Sequence, residues 1–382
     1  MRPVYLDFNA TAPLEPAARE AIQEILAGPL LGNPSSTHAP GQRARLLLDA
    51  AREELLRIAG LERTHHLVFC SGGTEGNHLA LRRAPGEENG GTLLTTAIEH
   101  PSLLEAARAR AAEGGLDLAF LPLDDSGRVL RESMRESSKQ ARLCAVHAAH
   151  NELGTIQDLA ALRAALPASA RLHADACQYW GKVAFDLSAL RADSLVVSAH
   201  KIGGPVGIGA LFVRKDLELE PLLRGGGQER GYRAGTESVL LAHAFVAAAR
   251  AREQRAMEDA EHVRALRDQL RAELLQAIPA LRVLTPDDGA LPNTLCVTLP
   301  RGDGRALLMA AQLQGLAISS GSACSSGAAR PSAALLALGL DEASARRSLR
   351  FSLGPTTTPA DIAHTASILR SLHARFAAID AS

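Results

Sequence analysis

Five short stretches carry residue types that could do covalent or ionic chemistry. The first is Ser198-Ala-His-Lys-Ile-Gly-Gly-Pro-Val-Gly-Ile-Gly-Ala-Leu211, in which an apolar run ends at a His-Lys pair and a glycine-rich loop follows. A lysine at the carboxyl end of a buried strand is partly desolvated, which lowers its pKa and frees its amine to attack carbonyls. Lys201 also reads as a surface lysine in a turn, but the surrounding glycines favour close approach of backbone to a ligand. The second stretch is His173-Ala-Asp-Ala-Cys-Gln178, with Asp175 alternating with apolar neighbours. A carboxylate there needs a cation or hydrogen-bond donors. The protonated nitrogen of a pyridinium cofactor is one such partner, and the first turn of a helix capped by the Asp is the other. The residues alone favour neither. The third, Ser71-Gly-Gly-Thr-Glu75, lies between an apolar strand and a helix, so main-chain N–H groups and the helix dipole make an anion site. No Gly-Lys-Ser/Thr follows and no GxGxxG is formed, so a single phosphate suits it better than a nucleotide. Each signal is weak, and capped helices after glycine turns are common. A carbonyl-binding lysine, a pyridinium partner and a phosphate cradle along one pattern together imply pyridoxal phosphate.

The fourth stretch is Gly321-Ser-Ala-Cys-Ser-Ser-Gly327. Small residues flank Cys324 and no apolar periodicity would bury it, so an exposed loop thiol that can reach its thiolate form is expected, beside the plainer reading of a tolerated loop cysteine. The fifth is Leu349-Arg-Phe-Ser-Leu-Gly354, where the fork of Arg350 suits a substrate carboxylate and equally an internal ion pair. Cys70, Cys144 and Cys296 read as filler in apolar strands, and Cys177 neighbours the site without an evident task. None pairs with His at metal spacing, so no dedicated zinc site is expected.

The elements that must position these residues alternate along the chain. Strands are expected at His66–Cys70, Thr92–Ala97, Leu143–Ala149, Arg171–Ala176, Ser194–Ala199 and Gly209–Val213, with helices at Thr74–Arg83 and Pro101–Glu113. This pattern predicts an α/β fold with a mainly parallel sheet covered by helices, in which ligands bind beyond the carboxyl ends of the strands. Leu240–Ala277 reads as one long helix or two leading to a smaller α/β domain, with strands at Arg282–Leu284, Asn293–Leu299, Ala317–Ser320 and Leu349–Leu353 and a last helix at Pro359–Ala378. The division expected is a large domain over 14–255 and a small domain over 1–13 and 256–382.

Composition limits the function. The 382 residues are 46% hydrophobic and 22% charged, enough for a sizeable core, and only 3% aromatic, so the core is aliphatic. Forty-one basic residues against forty-two acidic ones leave a net charge of -1, so direct nucleic-acid contact is not indicated. Five cysteines without a CxxC pair fit a reducing compartment. No apolar run approaches the ~20 residues of a membrane helix and no targeting segment is evident, so a cytoplasmic location is expected.

The motifs in order resemble the cysteine desulfurases, pyridoxal-phosphate enzymes of fold type I in the class V aminotransferase family. The resemblance spans nearly the whole chain, from Tyr5-Leu-Asp-Phe-Asn-Ala-Thr-Ala-Pro13 and Gly32-Asn-Pro-Ser-Ser-Thr-His38 through Ile98-Glu-His100, His150-Asn-Glu-Leu-Gly154 and Arg233-Ala-Gly-Thr236 to Cys324 and Arg350. It implies that Lys201 holds the cofactor covalently and later removes a proton, and that Asp175 pairs with the ring nitrogen. Gln178 would meet the ring's phenolic oxygen, His100 would stack on the ring and move protons, and Asn151 would contact the ring. Gly73, Thr74, Ser198 and His200 would hold the phosphate, with Thr236 reaching the phosphate of a partner subunit in a homodimer. Arg350 and Asn33 would hold the carboxylate of L-cysteine. Cys324 would take the sulfur as a persulfide, leaving alanine, and hand it to an acceptor protein of iron–sulfur assembly or thiolation. A transient iron–sulfur ligand role for Cys324 is the only metal contact the resemblance suggests.

Arg350 follows Cys324 by 26 positions, which resembles the family group with a long cysteine loop. Tyr232 and Ala234 depart from the family pattern, and the short stretch after the last helix speaks against the housekeeping iron–sulfur scaffold as partner. The alternatives are a selenocysteine lyase, another class V enzyme, or a silent relative that only carries sulfur.

Overall fold

The computed structural model describes residues 3–84, 90–130, 132, 138–320 and 331–379. A two-residue strand, β1 (Val4–Tyr5), precedes the central sheet. That sheet has seven strands: β2 (His65–Cys70), β3 (Thr92–Thr95), β4 (Asp117–Phe120), β5 (Ala141–His147), β6 (Arg171–Asp175), β7 (Ser194–Ser198) and β8 (Gly209–Arg214). They lie in the order β2-β8-β7-β6-β5-β3-β4. Only β8 runs antiparallel to its neighbours. The other six therefore deliver their carboxyl ends to one edge.

The strands read as continuous apolar runs because both faces are covered, and every residue of β6 and β7 is buried. Alternate side chains go to opposite faces. Phe69, Val146, Leu172 and Phe212 pack on one side with Leu48, Trp180 and Phe245, while Val68, Leu143, Val196 and Leu211 pack on the other with Leu79, Leu103 and Ala107. The first face is roofed by α2 (Ala39–Ile58) and the helix Val239–Gln254, on whose outer side α1 (Pro16–Ala27) packs, the second by α3 (Gly73–Ala80) and α4 (Pro101–Ala112).

The stretch Leu240–Ala277 is two helices, Val239–Gln254 and Ala256–Ala277, divided at Arg255. They separate because they serve different cores. Phe245 and Val246 pack on the central sheet, whereas Val263, Leu266 and Leu270 pack with Val4, Leu6, Val297, Phe351 and Ile362. In this second core β9 (Arg282–Val283), β10 (Thr294–Thr298), β12 (Ser319–Ser320) and β13 (Ser348–Ser352) form an antiparallel sheet in the order β12-β13-β10-β9. The run Ala317–Ser320, expected as one strand, is split. β11 (Leu316–Ala317) pairs in parallel with β1, and β12 pairs with β13. Among the described residues, no helix is long and apolar enough to cross a membrane.

Candidate active site

The carboxyl edge of the central sheet collects the chemical residues. After β2 the chain turns through Gly72, whose φ of +152° disfavours any side chain, into α3. A Cβ on Gly209 would lie 2.8 Å from the Gly72 Cα, and one on Gly76 would lie 2.3 Å from Val196 Cγ2, so glycine is what lets α3 rest on β7 and β8. The Ser71 N–H donates to Glu75 Oε2 at 2.7 Å, and Glu75 Oε1 accepts from Arg233 Nε at 2.8 Å. Gly73 and Thr74 thus open the helix beside Ser198, which ends β7 buried. The Arg233–Glu75 pair holds the segment leading to Thr236 against this turn, and Thr236 itself is exposed.

Asp175 ends β6. Its Oδ2 accepts from Asn77 Nδ2 at 2.8 Å and its Oδ1 from the Cys177 N–H at 3.0 Å. Burial works to raise its pKa, but the Asn77 hydrogen bond, the nearby His100 and the Cys177 N–H outweigh burial and hold it below the ordinary value. Of the two sequence readings, the helix cap is not found: the carboxylate tethers a turn, and no helix starts there. Asn77 is fully buried and its Oδ1 meets His173 Nε2 at 2.9 Å; His173 Nδ1 meets Ser194 Oγ at 2.9 Å. Burial lowers the His173 pKa to about 4, so the ring is neutral at pH 7. With Asn77 Nδ2 turned to a carboxylate, the chain runs one way: Ser194 hydroxyl to His173, His173 to Asn77, Asn77 to Asp175.

The second Nδ2 hydrogen of Asn77 reaches Ser102 Oγ at 3.0 Å. Ser102 donates to His100 Nδ1 from its hydroxyl at 2.8 Å and from its main-chain N–H at 3.1 Å. His100 is the N-cap of α4, and because its Nδ1 accepts, its ring proton sits on Nε2.

Lys201 follows β7 in a short 3-10 turn, and its Nζ donates to the main-chain carbonyls of Asn9 at 2.7 Å and Ala10 at 2.9 Å. Gln178 Nε2 donates to the same Asn9 carbonyl at 2.9 Å. His200 Nδ1 lies 3.1 Å from Thr11 Oγ1, and burial together with Lys201 and Lys182 lowers its pKa to about 4, so it too is neutral. Beside them Cys177 has its thiol pushed well above its ordinary range, by burial first and then by Asp175, which disfavours its thiolate.

Arg350, on β13, is buried and reaches across to this edge. Its Nη2 bonds Asp7 Oδ1 at 2.6 Å and its Nη1 bonds the Asn151 carbonyl at 3.1 Å. The internal ion pair is thus present, and no described residue accepts from its Nε. Asn33 is exposed, and its Oδ1 accepts from the Ser35 N–H at 2.9 Å; among the described residues nothing joins it to Arg350. Cys324 and the rest of Gly321–Gly327 lie outside the described residues.

Three positions escaped the sequence reading: Asn77, Asn9 and Lys182. Asn77 stands four residues after Gly73, one turn along α3, and a buried amide at that step was the available signal. Asn9 lay inside a quoted motif, and Lys182 is four residues past Gln178.

These donors fit pyridoxal phosphate on the chemistry of the set. A carboxylate kept ionised by two donors can pair with a cationic ring nitrogen, a glycine-lined helix start can take a phosphate, and a lysine amine stands at the end of β7, the strand next to the one that carries the carboxylate. Comparison with known proteins agrees. Residues 4–364 match the family described as Aminotransferase class-V. The chain is 38% identical over 372 residues to the cysteine desulfurase of Cereibacter sphaeroides, covering 97% of this chain and 95% of that one. Its fold is similar to a solved NifS-like protein, with a TM-score of 0.88 and 29% identity over 97% of this chain and 99% of that one. It is also similar to a solved structure of SspA in complex with cysteine, with a TM-score of 0.74 and 30% identity over 93% and 99% of the two chains. Matched over 4–364 by that family and 38% identical to a cysteine desulfurase over nearly its whole length, the chain belongs to the class V aminotransferases, among the cysteine desulfurases.

Proposed function

We propose that this protein is a pyridoxal-phosphate-dependent cysteine desulfurase that converts L-cysteine to L-alanine and passes the sulfur through Cys324 to an acceptor protein. The observation that carries the reading is the meeting of Lys201 and the ionised Asp175 on one sheet edge beside the α3 turn. In this proposal Asp175 pairs with the ring nitrogen, Gln178 with the ring oxygen, His100 and Asn151 lie against the ring, and Gly73, Thr74, Ser198 and His200 take the phosphate. The bound cofactor supplies an electron sink at the α-carbon of an amino acid.

The chain's own groups do the rest. Lys201 Nζ, held in place by two carbonyls, removes the α-proton of L-cysteine. Asn77 and the Cys177 N–H keep Asp175 anionic, which stabilises a protonated ring nitrogen. His100 presents Nε2–H, the proton-moving end of its ring. The free Nε–H of Arg350 is the donor available to a substrate carboxylate, with Asn33 as second contact. The Cys324 thiolate attacks the substrate sulfur. An S–S bond forms as the C–S bond breaks, protons return to the carbon skeleton, and alanine leaves with a persulfide on Cys324.

We read the two cores as two domains, 14–255 and 1–13 with 256–382, and place the protein as a homodimer in a reducing compartment such as the cytoplasm, with Thr236 reaching the partner's phosphate. The free Cys70, Cys144, Cys177 and Cys296 support the compartment. The test is alanine formed from L-cysteine by the holoenzyme with a reducing thiol, beside Cys324→Ala. We expect turnover from the first and loss of at least about 100-fold in the second, the cost of removing a nucleophile. Equal turnover would remove Cys324 from the reaction.

A further inference from the structure

Lys182 is used by none of these steps, yet it lies half-buried at the centre of the hydrogen bonds that surround Lys201. Its Nζ donates to Asn9 Oδ1 at 2.8 Å and to Gln178 Oε1. Gln178 Nε2 donates in turn to the Asn9 main-chain carbonyl, which also accepts from Lys201 Nζ. Lys182, Gln178 and Asn9 therefore close a ring that has Lys201 on its rim.

The direction of every bond in the ring is fixed. A carbonyl only accepts, so the Gln178 amide nitrogen must face Asn9, and its oxygen is left for an amine. The Asn9 amide is fixed in the same way, because its Nδ2 donates to the Asn151 carbonyl at 3.2 Å and to Thr294 Oγ1 at 2.9 Å. Gln178 Nε2 carries two hydrogens and Asn9 takes one, which leaves one for a ligand. Hydrogen bonds in series polarise one another, so a donor on Oε1 makes the remaining N–H a stronger donor.

We propose that Lys182 is a positioning residue for the desulfuration: by holding Gln178 Oε1 it aims and polarises the Gln178 N–H that meets the ring oxygen of the cofactor. The inference rests on the reading of Gln178 as that ring-oxygen contact. Burial, and then Lys201, Arg350 and Arg252, push the pKa of Lys182 well below the ordinary lysine range, with Cys177 acting the other way. The pattern holds in either charge state, since a neutral amine still has two N–H bonds for two oxygens.

The test is the pH midpoint of the visible absorbance change of the bound cofactor in the holoenzyme, which a purely structural role would not move. It is measured in the wild type, Lys182→Met, Gln178→Ala and the double variant. We expect Lys182→Met to move the midpoint in the same direction as Gln178→Ala, by about half a unit or more, and the double variant to move no further than Gln178→Ala. An unmoved midpoint in Lys182→Met, or shifts that add, overturns the proposal while leaving the Gln178 contact intact. No shift in Gln178→Ala overturns the contact and the proposal with it. Should Lys182→Met yield no holoenzyme, Lys182→Gln enters the same cycle. Non-additivity with Gln178→Ala then supports the role, and additivity or no shift ends it.

Discussion

Asn77 serves two groups that would each be stranded without it. Removing its amide leaves Asp175 with one donor and the His173 Nε2–H without an acceptor, both buried. A hydrogen bond to a charged group contributes about 1.5–3 kcal/mol, so Asn77→Leu should lower kcat on the order of 10–100-fold and weaken cofactor retention. Steady-state rates and dialysis of the holoenzyme read both, and normal values for both would show that Asp175 needs no such support. Glu152 gives a pH-dependent case. Burial raises its pKa to about 7, against the 2.6 Å hydrogen bond from Ser332 and the charges of Arg350 and His100. A folded-state pKa above the unfolded one means stability that is full below the unfolded value, near 4.5, and lost as pH rises through about 7. Glu152→Gln keeps the shape without the proton. The Tm of wild type relative to this variant should therefore fall between about pH 5 and about pH 8, and a flat difference would show that Glu152 does not titrate there. Lys201 and Asp175 drew attention in the sequence because each stands at the end of an apolar run with a charge such a run does not tolerate without reason, whereas Gln178 was named through the family resemblance. Asn77 was not, because an amide inside a helix looks the same whether it faces solvent or a carboxylate.

At the level of elements, the α3 turn depends on small residues more than on any side-chain contact. A methyl on Gly76 would press on Val196, and overpacking of this kind costs about 1–3 kcal/mol. Gly76→Ala should lower Tm and loosen phosphate binding together, and Val196→Ala on that background should restore part of both. A double variant no better than the single would show that the damage lies elsewhere. The strands β6 and β7 could be read from sequence within a residue because burial on both faces leaves an unbroken apolar run. β4 was missed for a different reason: Asp117–Phe120 is an edge strand exposed at both ends, and its short apolar run is broken by Asp117 and Pro122. β1 is two residues long and pairs only with β11, so no local pattern could have announced it. The split of Ala317–Ser320 has the same origin, because pairing with two different partners is decided far away in the sequence.

The whole molecule leaves several large apolar side chains of the central sheet domain uncovered. Leu26, Leu30, Leu46 and Val206 are each more than 70% exposed. A second copy is the occupant that the Thr236 reading requires, and sedimentation should return about twice 40.2 kDa for the holoenzyme. A species of 40.2 kDa with full activity would remove Thr236 from the site. The first residues of the chain are one of the links between the two cores. Asn9 alone bonds Lys182, Lys201 and Gln178 on one side and Asn293, Thr294 and Ser352 on the other. β1 cannot pair until Leu316 and Ala317 have been made. At about 5–20 residues per second on the ribosome, Val4 and Tyr5 wait on the order of 15–60 s for their partners. The central sheet emerges complete well before that. A nascent chain therefore carries its lysine and aspartate for many seconds before the segment that closes around them is anchored, and the newborn enzyme finishes its site last.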